Sequence, residues 1–319
     1  MHIKTDDIIN GMPIDINMAR DIYNMPLDEI KESCIKITKA NFKDSFELCS
    51  ITNGKSGRCS ENCKFCAQSK AFKTDVEVTN LKDTKTFLEE AYYNASRNVH
   101  RFSIVTSGRR LPESDIDKVC EAYKAISKSY NIKLCASHGL LSYDDYVKLK
   151  QSGVSRIHNN LETSKNFFKN VCTTHSFEQK IEAIKNAQKA GLDVCSGGII
   201  GMGESVDDRL DMAFTLRALN IKSVPINVLN PIKGTPFENL KPLSIDEIKR
   251  TIGVYRHILP KSVLRLAGGR ILFNKSTHEL YDFGINAMIT GDMLTTCGLS
   301  IASDISNVIE HKKELSLID

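Results

Sequence analysis

The sequence predicts a single (β/α)8 barrel of the TIM type with an N-terminal helical extension. Three observations carry that reading. Short apolar or β-branched runs ending in Gly, Ser or Asn alternate with amphipathic stretches of helical period. The alternation recurs eight times between residues 46 and 315. No low-complexity stretch, Gly/Pro/Ser-rich linker or charge block divides the chain. The expected organisation is one domain over 1–319: a helical cap at 1–45, the barrel at 46–300 and a C-terminal helix at 301–319. An open doubly wound sheet has the same alternation and is the runner-up.

In chain order, residues 1–45 carry no strand signal, and 26–42 has helical period, so this part is expected to cover the lower end of the barrel. Strand one is 46–52 (Phe-Glu-Leu-Cys-Ser-Ile-Thr), followed by a helix at 83–97. The next pairs are 101–105 with 114–130, 132–136 with 142–151, and 155–159 with 177–190. Strand five at 193–199 leads to a helix at 205–219, and strand six at 223–229 to one at 244–258. Strands seven (263–267) and eight (286–290) are followed by helical stretches at 275–283 and 300–315. Ser176 with Gln179, and Ser244 with Glu247, have the spacing of capping boxes.

Composition narrows the function. The 319 residues hold 43 Lys+Arg against 39 Asp+Glu, a net charge of +4, too balanced for a nucleic-acid partner. No apolar run approaches the roughly 18 residues that span a bilayer. The opening Met1-His-Ile-Lys-Thr-Asp-Asp lacks the basic-then-apolar pattern of a secretory leader. The expectation is a soluble cytoplasmic protein. Ten cysteines in such a chain point to metal or chemistry rather than to a disulfide framework.

Three of them form Cys59-x-x-x-Cys63-x-x-Cys66, in the loop after strand one. In a barrel that loop lies on the C-terminal face, where active sites sit. Thiolates suit zinc or iron–sulfur clusters. A structural zinc site wants a second Cys/His pair at matching spacing, and His100 and His138 are isolated. Three thiols suit a cubane cluster with one iron left open for a small molecule.

The motif resembles the radical S-adenosylmethionine superfamily, and its context, Ser50-Ile-Thr-Asn-Gly-Lys-Ser-Gly-Arg-Cys59-Ser-Glu-Asn-Cys63-Lys-Phe-Cys66-Ala-Gln-Ser, resembles the biotin synthase family. Further matches are His158-Asn-Asn-Leu-Glu162-Thr-Ser, Val194-Cys-Ser-Gly-Gly-Ile-Ile-Gly-Met-Gly-Glu204, Val224-Pro-Ile-Asn227, Lys233-Gly-Thr-Pro236, Arg265-Leu-Ala-Gly-Gly-Arg270 and Leu294-Thr-Thr296. The resemblance spans roughly residues 20–315. It implies a 4Fe–4S cluster on Cys59, Cys63 and Cys66, which binds S-adenosylmethionine and cleaves it to a deoxyadenosyl radical. The implied reaction converts dethiobiotin to biotin by two hydrogen abstractions and insertion of one sulfur from an auxiliary cluster. Phe65 is implied near the adenine, Glu162 at the ribose and Lys180 at the cofactor carboxylate. Asn160 is implied at both cofactor and substrate, with His158 and Asn227 at the substrate's ureido ring. A flavodoxin or ferredoxin donor and a homodimer are also implied.

The auxiliary site departs from the family's usual pattern, a 2Fe–2S cluster with Cys on strands two, three and five and Arg on strand seven. Cys135, Cys195 and Arg265 are in place, but strand two has Ser103, and a hydroxyl is a poor iron ligand beside thiolates. Strand one supplies Cys49 in the same aliphatic–Cys–small pattern, and alternation lets it point inward. Cys49, Cys135 and Cys195 are therefore expected to hold the auxiliary cluster, as a 4Fe–4S-like centre with an open iron rather than a 2Fe–2S one. Cys34 and Cys120 are expected in the core. Cys172 and Cys297 are candidates for a fourth ligand or a resolving thiol. The competing readings are another radical enzyme, a maturase or mutase, and an iron–sulfur electron carrier, whose clusters are normally saturated by four cysteines.

Overall fold

The computed structural model describes residues 5–291 and 300–319. Three helices, α1 (Thr5–Ile9), α2 (Ile16–Asn24) and α3 (Leu27–Phe42), precede the first strand. The strands are β1 (Ser45–Lys55), β2 (Arg101–Thr106), β3 (Lys133–Ser137), β4 (Val154–His158), β5 (Asp193–Cys195), β6 (Gly198–Ile200), β7 (Ser223–Val228), β8 (Val263–Leu266), β9 (Ala287–Ile289) and β10 (Glu314–Leu315). Every pairing is parallel, and β1 pairs with both β2 and β9, which closes the sheet into a barrel and excludes the open sheet.

The crossover helices are α4 (Thr84–Ala95), α5 (Glu113–Ser129), α6 (Tyr143–Gln151), the short α7 (Phe168–Val171) with α8 (Phe177–Lys189), α9 (Val206–Ala218) and α10 (Ile245–Ile258). Two 3-10 turns (Arg270–Leu272 and Asn274–Leu280) follow β8, and α11 (Ile301–Glu310) follows β9. Ser142, Ser176, Ser205 and Ser244 each close a full capping box, which fixes where four of these helices begin. Among the described residues no helix is long and apolar enough to cross a membrane.

Three features differ from the sequence reading. The fifth stave is broken into β5 and β6, so strands six, seven and eight of the sequence are β7, β8 and β9. The break falls at Ser196-Gly197, where a Cβ on Gly197 would sit 1.9 Å from the Pro225 carbonyl oxygen. The backbone has to dip there, and only glycine permits the approach. Helix α2 packs against α9 and α10, and α3 against α10, so these two join the outer helical layer.

The C-terminal helix stops at Glu310, and Lys312 takes a left-handed φ of 57°. The chain then runs beside the start of β1 as β10. Arg101 Nη2 donates to the Ile318 carbonyl (3.1 Å) and to Asp319 (2.9 Å), and the Ile318 amide donates to Glu47 (3.1 Å). The foot of β1 is thus met by residues 314–319, where the sequence reading continues the C-terminal helix.

Candidate functional site

Alternation along the staves puts one side chain in two into the barrel. The inward positions include Cys49 and Ile51 on β1, Arg101, Ser103 and Val105 on β2, and Cys135 and Ser137 on β3. They continue with Arg156 and His158 on β4, Cys195 on β5, Asn227 on β7 and Arg265 on β8. Together they line one cavity of about 320 Å³, whose upper rim is Phe65, Cys66, Ala67 and Gln68 from the loop after β1.

The floor is strongly charged. Glu47 is fully buried and pairs with Arg101 Nε at 2.9 Å, with Arg265 Nη2, and at 3.6 Å with Arg156 Nη1. Burial alone would raise the Glu47 carboxyl, but Arg265, Arg101 and Arg156 outweigh it and hold it down at about 2. Asp319 reaches Arg101 from the solvent side. Among the described residues Arg156 Nε and Nη1 are buried and without a hydrogen-bond partner, a costly state unless an anion lies in the cavity.

Above the floor are the thiols. The Cys49 thiol donates to the Ser50 carbonyl at 3.7 Å; its neighbour Cys135 and burial push Cys49 up, while Cys49, with Arg101 and Arg156, pulls Cys135 down. Cys195 contacts the Ser223 hydroxyl at 3.3 Å. Burial raises Cys195, but His158, Arg265 and Arg156 pull it to about 7. Ser103 sits in register between Ile51 and Cys135, on the same inward face, and offers only its hydroxyl.

The loop after β1 folds back on itself. Cys59 N donates to the Gln68 carbonyl and Lys70 N to the Cys59 carbonyl (both 2.9 Å), while Cys66 N donates to Cys63 (2.9 Å). These turns gather Cys59, Cys63 and Cys66 near one another. Burial pushes Cys66 up to about 11. A second loop straps this one down. Asn62 Oδ1 accepts from Thr173 N (2.9 Å), Asn62 Nδ2 donates to Thr173 Oγ1 (2.6 Å), and Lys64 N donates to the Val171 carbonyl (2.9 Å). The strap, residues 171–175, was not visible in the sequence; its only trace there was Cys172 ahead of Thr-Thr-His.

The small-molecule candidates also converge. Asn160 accepts from Gly197 N at 3.1 Å and reaches Glu162 at 3.4 Å. Glu162 has a left-handed φ of 73°, and its carbonyl accepts from Ile199 N at 2.8 Å. Lys180 Nζ lies 3.8 Å from Glu162 and 3.3 Å from Asn159 Oδ1. Asn227 accepts from Gly268 N (2.8 Å) and donates to the Gly198 carbonyl (3.1 Å). An amide has two donor hydrogens and two acceptor lone pairs, so Asn227 keeps one of each for a ligand. Burial lowers His158, but its contact with Cys195 reverses the shift and leaves it above the ordinary histidine value. Phe65 packs beside Val171, Met202 and Leu229. Cys34 and Cys120 are buried away from the cavity in α3 and α5. Cys297 and Leu294–Thr296 lie outside the described residues.

Gly198 holds this arrangement close. A Cβ there would meet the Glu162 carbonyl oxygen and the Met212 sulfur, both at 2.4 Å. Gly198→Ala is expected to destabilise the fold by about 1–3 kcal/mol and to displace Glu162. A thermal melt with calorimetry of S-adenosylmethionine binding checks it; a variant unchanged in both would mean that the close approach is dispensable.

Comparison with known proteins follows the same lines. Residues 55–216 match the Radical SAM superfamily, and residues 225–312 match the Biotin and Thiamin Synthesis associated domain. The biotin synthase of Clostridium botulinum (strain Alaska E43 / Type E3) is 52% identical over 305 residues, 96% of each chain. That of Alkaliphilus metalliredigens (strain QYMF) is 52% identical over 278 residues, 87% of each chain. Methylornithine synthase has the same fold, with a TM-score of 0.84 at 16% identity, covering 98% of this chain and 97% of its own. The FeFe-hydrogenase maturase HydG from Carboxydothermus hydrogenoformans has a TM-score of 0.81 at 16% identity, covering 99% of this chain and 79% of its own. At such identities these two structures speak for the barrel alone. The two family matches and the relatives of near-equal length agree with the cysteine loop and the thiol-lined barrel: the chain belongs to the biotin synthase family, radical SAM sulfurtransferases.

Proposed function

We propose that this chain converts dethiobiotin to biotin, with S-adenosylmethionine as the source of the hydrogen-abstracting radical and an auxiliary iron–sulfur cluster as the source of sulfur. The observation that carries the proposal is one cavity with the cysteine loop at its rim and Cys49, Cys135 and Cys195 at its depth. A substrate between the two would face both kinds of chemistry at once.

Cys59, Cys63 and Cys66 would hold the 4Fe–4S cluster, which supplies an electron to the cofactor. Cys49, Cys135 and Cys195 would hold the auxiliary cluster. The donor set fits: the three thiols stand over a guanidinium-rich floor whose Arg156 has Nε and Nη1 without a hydrogen-bond partner among the described residues, and thiolate-ligated clusters are anionic. With Ser103 in place of a fourth thiol, a 4Fe–4S-like centre with an open iron suits this set better than a 2Fe–2S one. Arg265, tied to Glu47, would stand beside the cluster.

The protein's own residues bind and orient. Glu162 can accept two ribose hydroxyls, and Lys180 beside it gives the charge for a cofactor carboxylate, without the fork of an arginine. The spare donor and acceptor of Asn227, with Asn160, match the carbonyl and N–H groups of a cyclic urea. Phe65 and the strapped loop keep water from the space between, where a radical would otherwise be quenched. A small acidic flavodoxin or ferredoxin would suit the slightly basic chain, and a homodimer is the expected assembly.

The test is anaerobic turnover. The reconstituted chain, given dethiobiotin, S-adenosylmethionine and a low-potential reductant, should form biotin. The new sulfur should carry isotope label introduced as sulfide during reconstitution. Cofactor cleavage without a thioether product would transfer the reading to another radical enzyme; no cleavage would favour an electron carrier. Asn160→Asp is expected to weaken dethiobiotin binding by about 10- to 100-fold, because a carboxylate loses the donor and adds a charge. Unchanged affinity by calorimetry would remove Asn160 from the substrate site.

A further inference from the structure

Beside the cysteine loop lies a second donor set that the proposed reaction does not use. The thiols of Cys63 and Cys172 and a ring nitrogen of His175 lie within 4.8 Å of one another. His175 Nδ1 is 3.3 Å from the Cys172 sulfur and also meets the Glu61 carboxylate, which accepts from Thr174 Oγ1 at 2.8 Å. His175 and Cys172 are buried, and His175 Nε2 has no partner among the described residues. Two thiols and an imidazole form a ligand set for a tetrahedral divalent cation; the Glu61 carboxylate meets the same ring nitrogen, Nδ1, that faces Cys172, so a metal ion there would displace that contact.

From this geometry we propose that Cys63, Cys172 and His175 bind a single ferrous ion in the cluster-free chain and hold it for assembly of the 4Fe–4S cluster. The proposal rests on Cys63 being a ligand of that cluster, as argued above. Cys63 cannot serve both sites fully, so the mononuclear site exists only before the cluster forms. Cluster formation takes Cys63 and releases Cys172. The ion waits within the loop that will use it, because Asn62 and Lys64 bind that loop to residues 171–174. No redox step is needed to bind it: a ferrous ion displaces thiol protons and is held. The same set binds zinc more tightly than ferrous iron, so zinc is expected to be a competitor.

Cobalt(II) reports the site by the absorption of its thiolate bonds. The titration uses the full chain without clusters, carrying Cys49→Ser and Cys135→Ser to remove the deep thiols. One equivalent of cobalt should bind with a thiolate charge-transfer band. Adding Cys172→Ser, or separately His175→Asn, should weaken binding by about tenfold or more, whereas adding Cys59→Ser should leave it unchanged. On the otherwise native chain, Cys172→Ser should reach the same final iron count more slowly. One equivalent of zinc should slow assembly in the native chain but not in this variant. Cobalt binding indifferent to Cys172→Ser, or lost equally with Cys59→Ser, would overturn the proposal by placing the ion on the three-thiol loop. Failure of Cys172→Ser to reach the full iron count would also overturn it, by making Cys172 a ligand of the finished cluster. If the chain makes no biotin while the cobalt results stand, the fault lies with the proposed reaction and not with this site.

Discussion

Glu47→Gln is expected to lower the stability of the cluster-free chain by about 3–5 kcal/mol, the cost of removing one partner from a buried ion pair. The side chain keeps its shape, so packing is preserved; what is lost is the negative charge between Arg101, Arg156 and Arg265. The folded carboxyl, near 2, lies below its ordinary value of 4.5. Its contribution is therefore fully present above pH 4.5 and fades as pH falls toward 2. By linkage that contribution is worth about 3 kcal/mol. Denaturant unfolding from pH 7 to pH 3 should show native stability falling more steeply than that of the variant. With the auxiliary cluster bound, part of the loss should be recovered, since an anion then faces the guanidiniums. A variant as stable as the native chain at pH 7 would mean that water or chain relaxation already screens the floor.

Cys49→Ala should separate the two halves of the proposed chemistry. Iron and sulfide belonging to the deep site should be lost while the signal from Cys59, Cys63 and Cys66 remains. S-adenosylmethionine should still be cleaved, without biotin formation. Ser103→Cys, which places a thiol in register beside Cys135, is the informative companion. If it restores sulfur insertion to Cys49→Ala, the ligand has two possible positions on adjoining staves. A full deep-site complement in Cys49→Ala alone would show that Cys49 is a buried thiol with no ligand role.

The barrel was legible because its signal is local and repeated: each stave is a short apolar run, and each helix has its own period and often its own cap. The thiol loop was legible because its ligands fall within eight residues. The break in the fifth stave was not, since the cause is the Pro225 carbonyl on another strand. The charged floor was missed for a related reason. Glu47, Arg101, Arg156 and Arg265 lie on four staves and meet only once the sheet has closed. A trace was present for three of them: Glu47 and Arg156 stand two residues before Cys49 and His158 on the inward face, and Arg101 two before Ser103. The strap at 171–175 left less, because Asn62 and Thr173 are ordinary loop residues until their hydrogen bonds are seen.

The seam between β10, the residues after it and the foot of β1 bears on how the chain is made. The Ile318 amide that meets Glu47 is separated from it by 271 positions. During synthesis β1 emerges early and its lower partner very late, so the foot of the barrel stays open while nearly all the other staves can already pair. The first barrel strand is completed by a segment that follows all the other staves, and a nascent chain halted before residue 314 would carry every deep thiol over an unfinished base. The foot of the chamber can therefore first be sealed once residues 314–318 have been made.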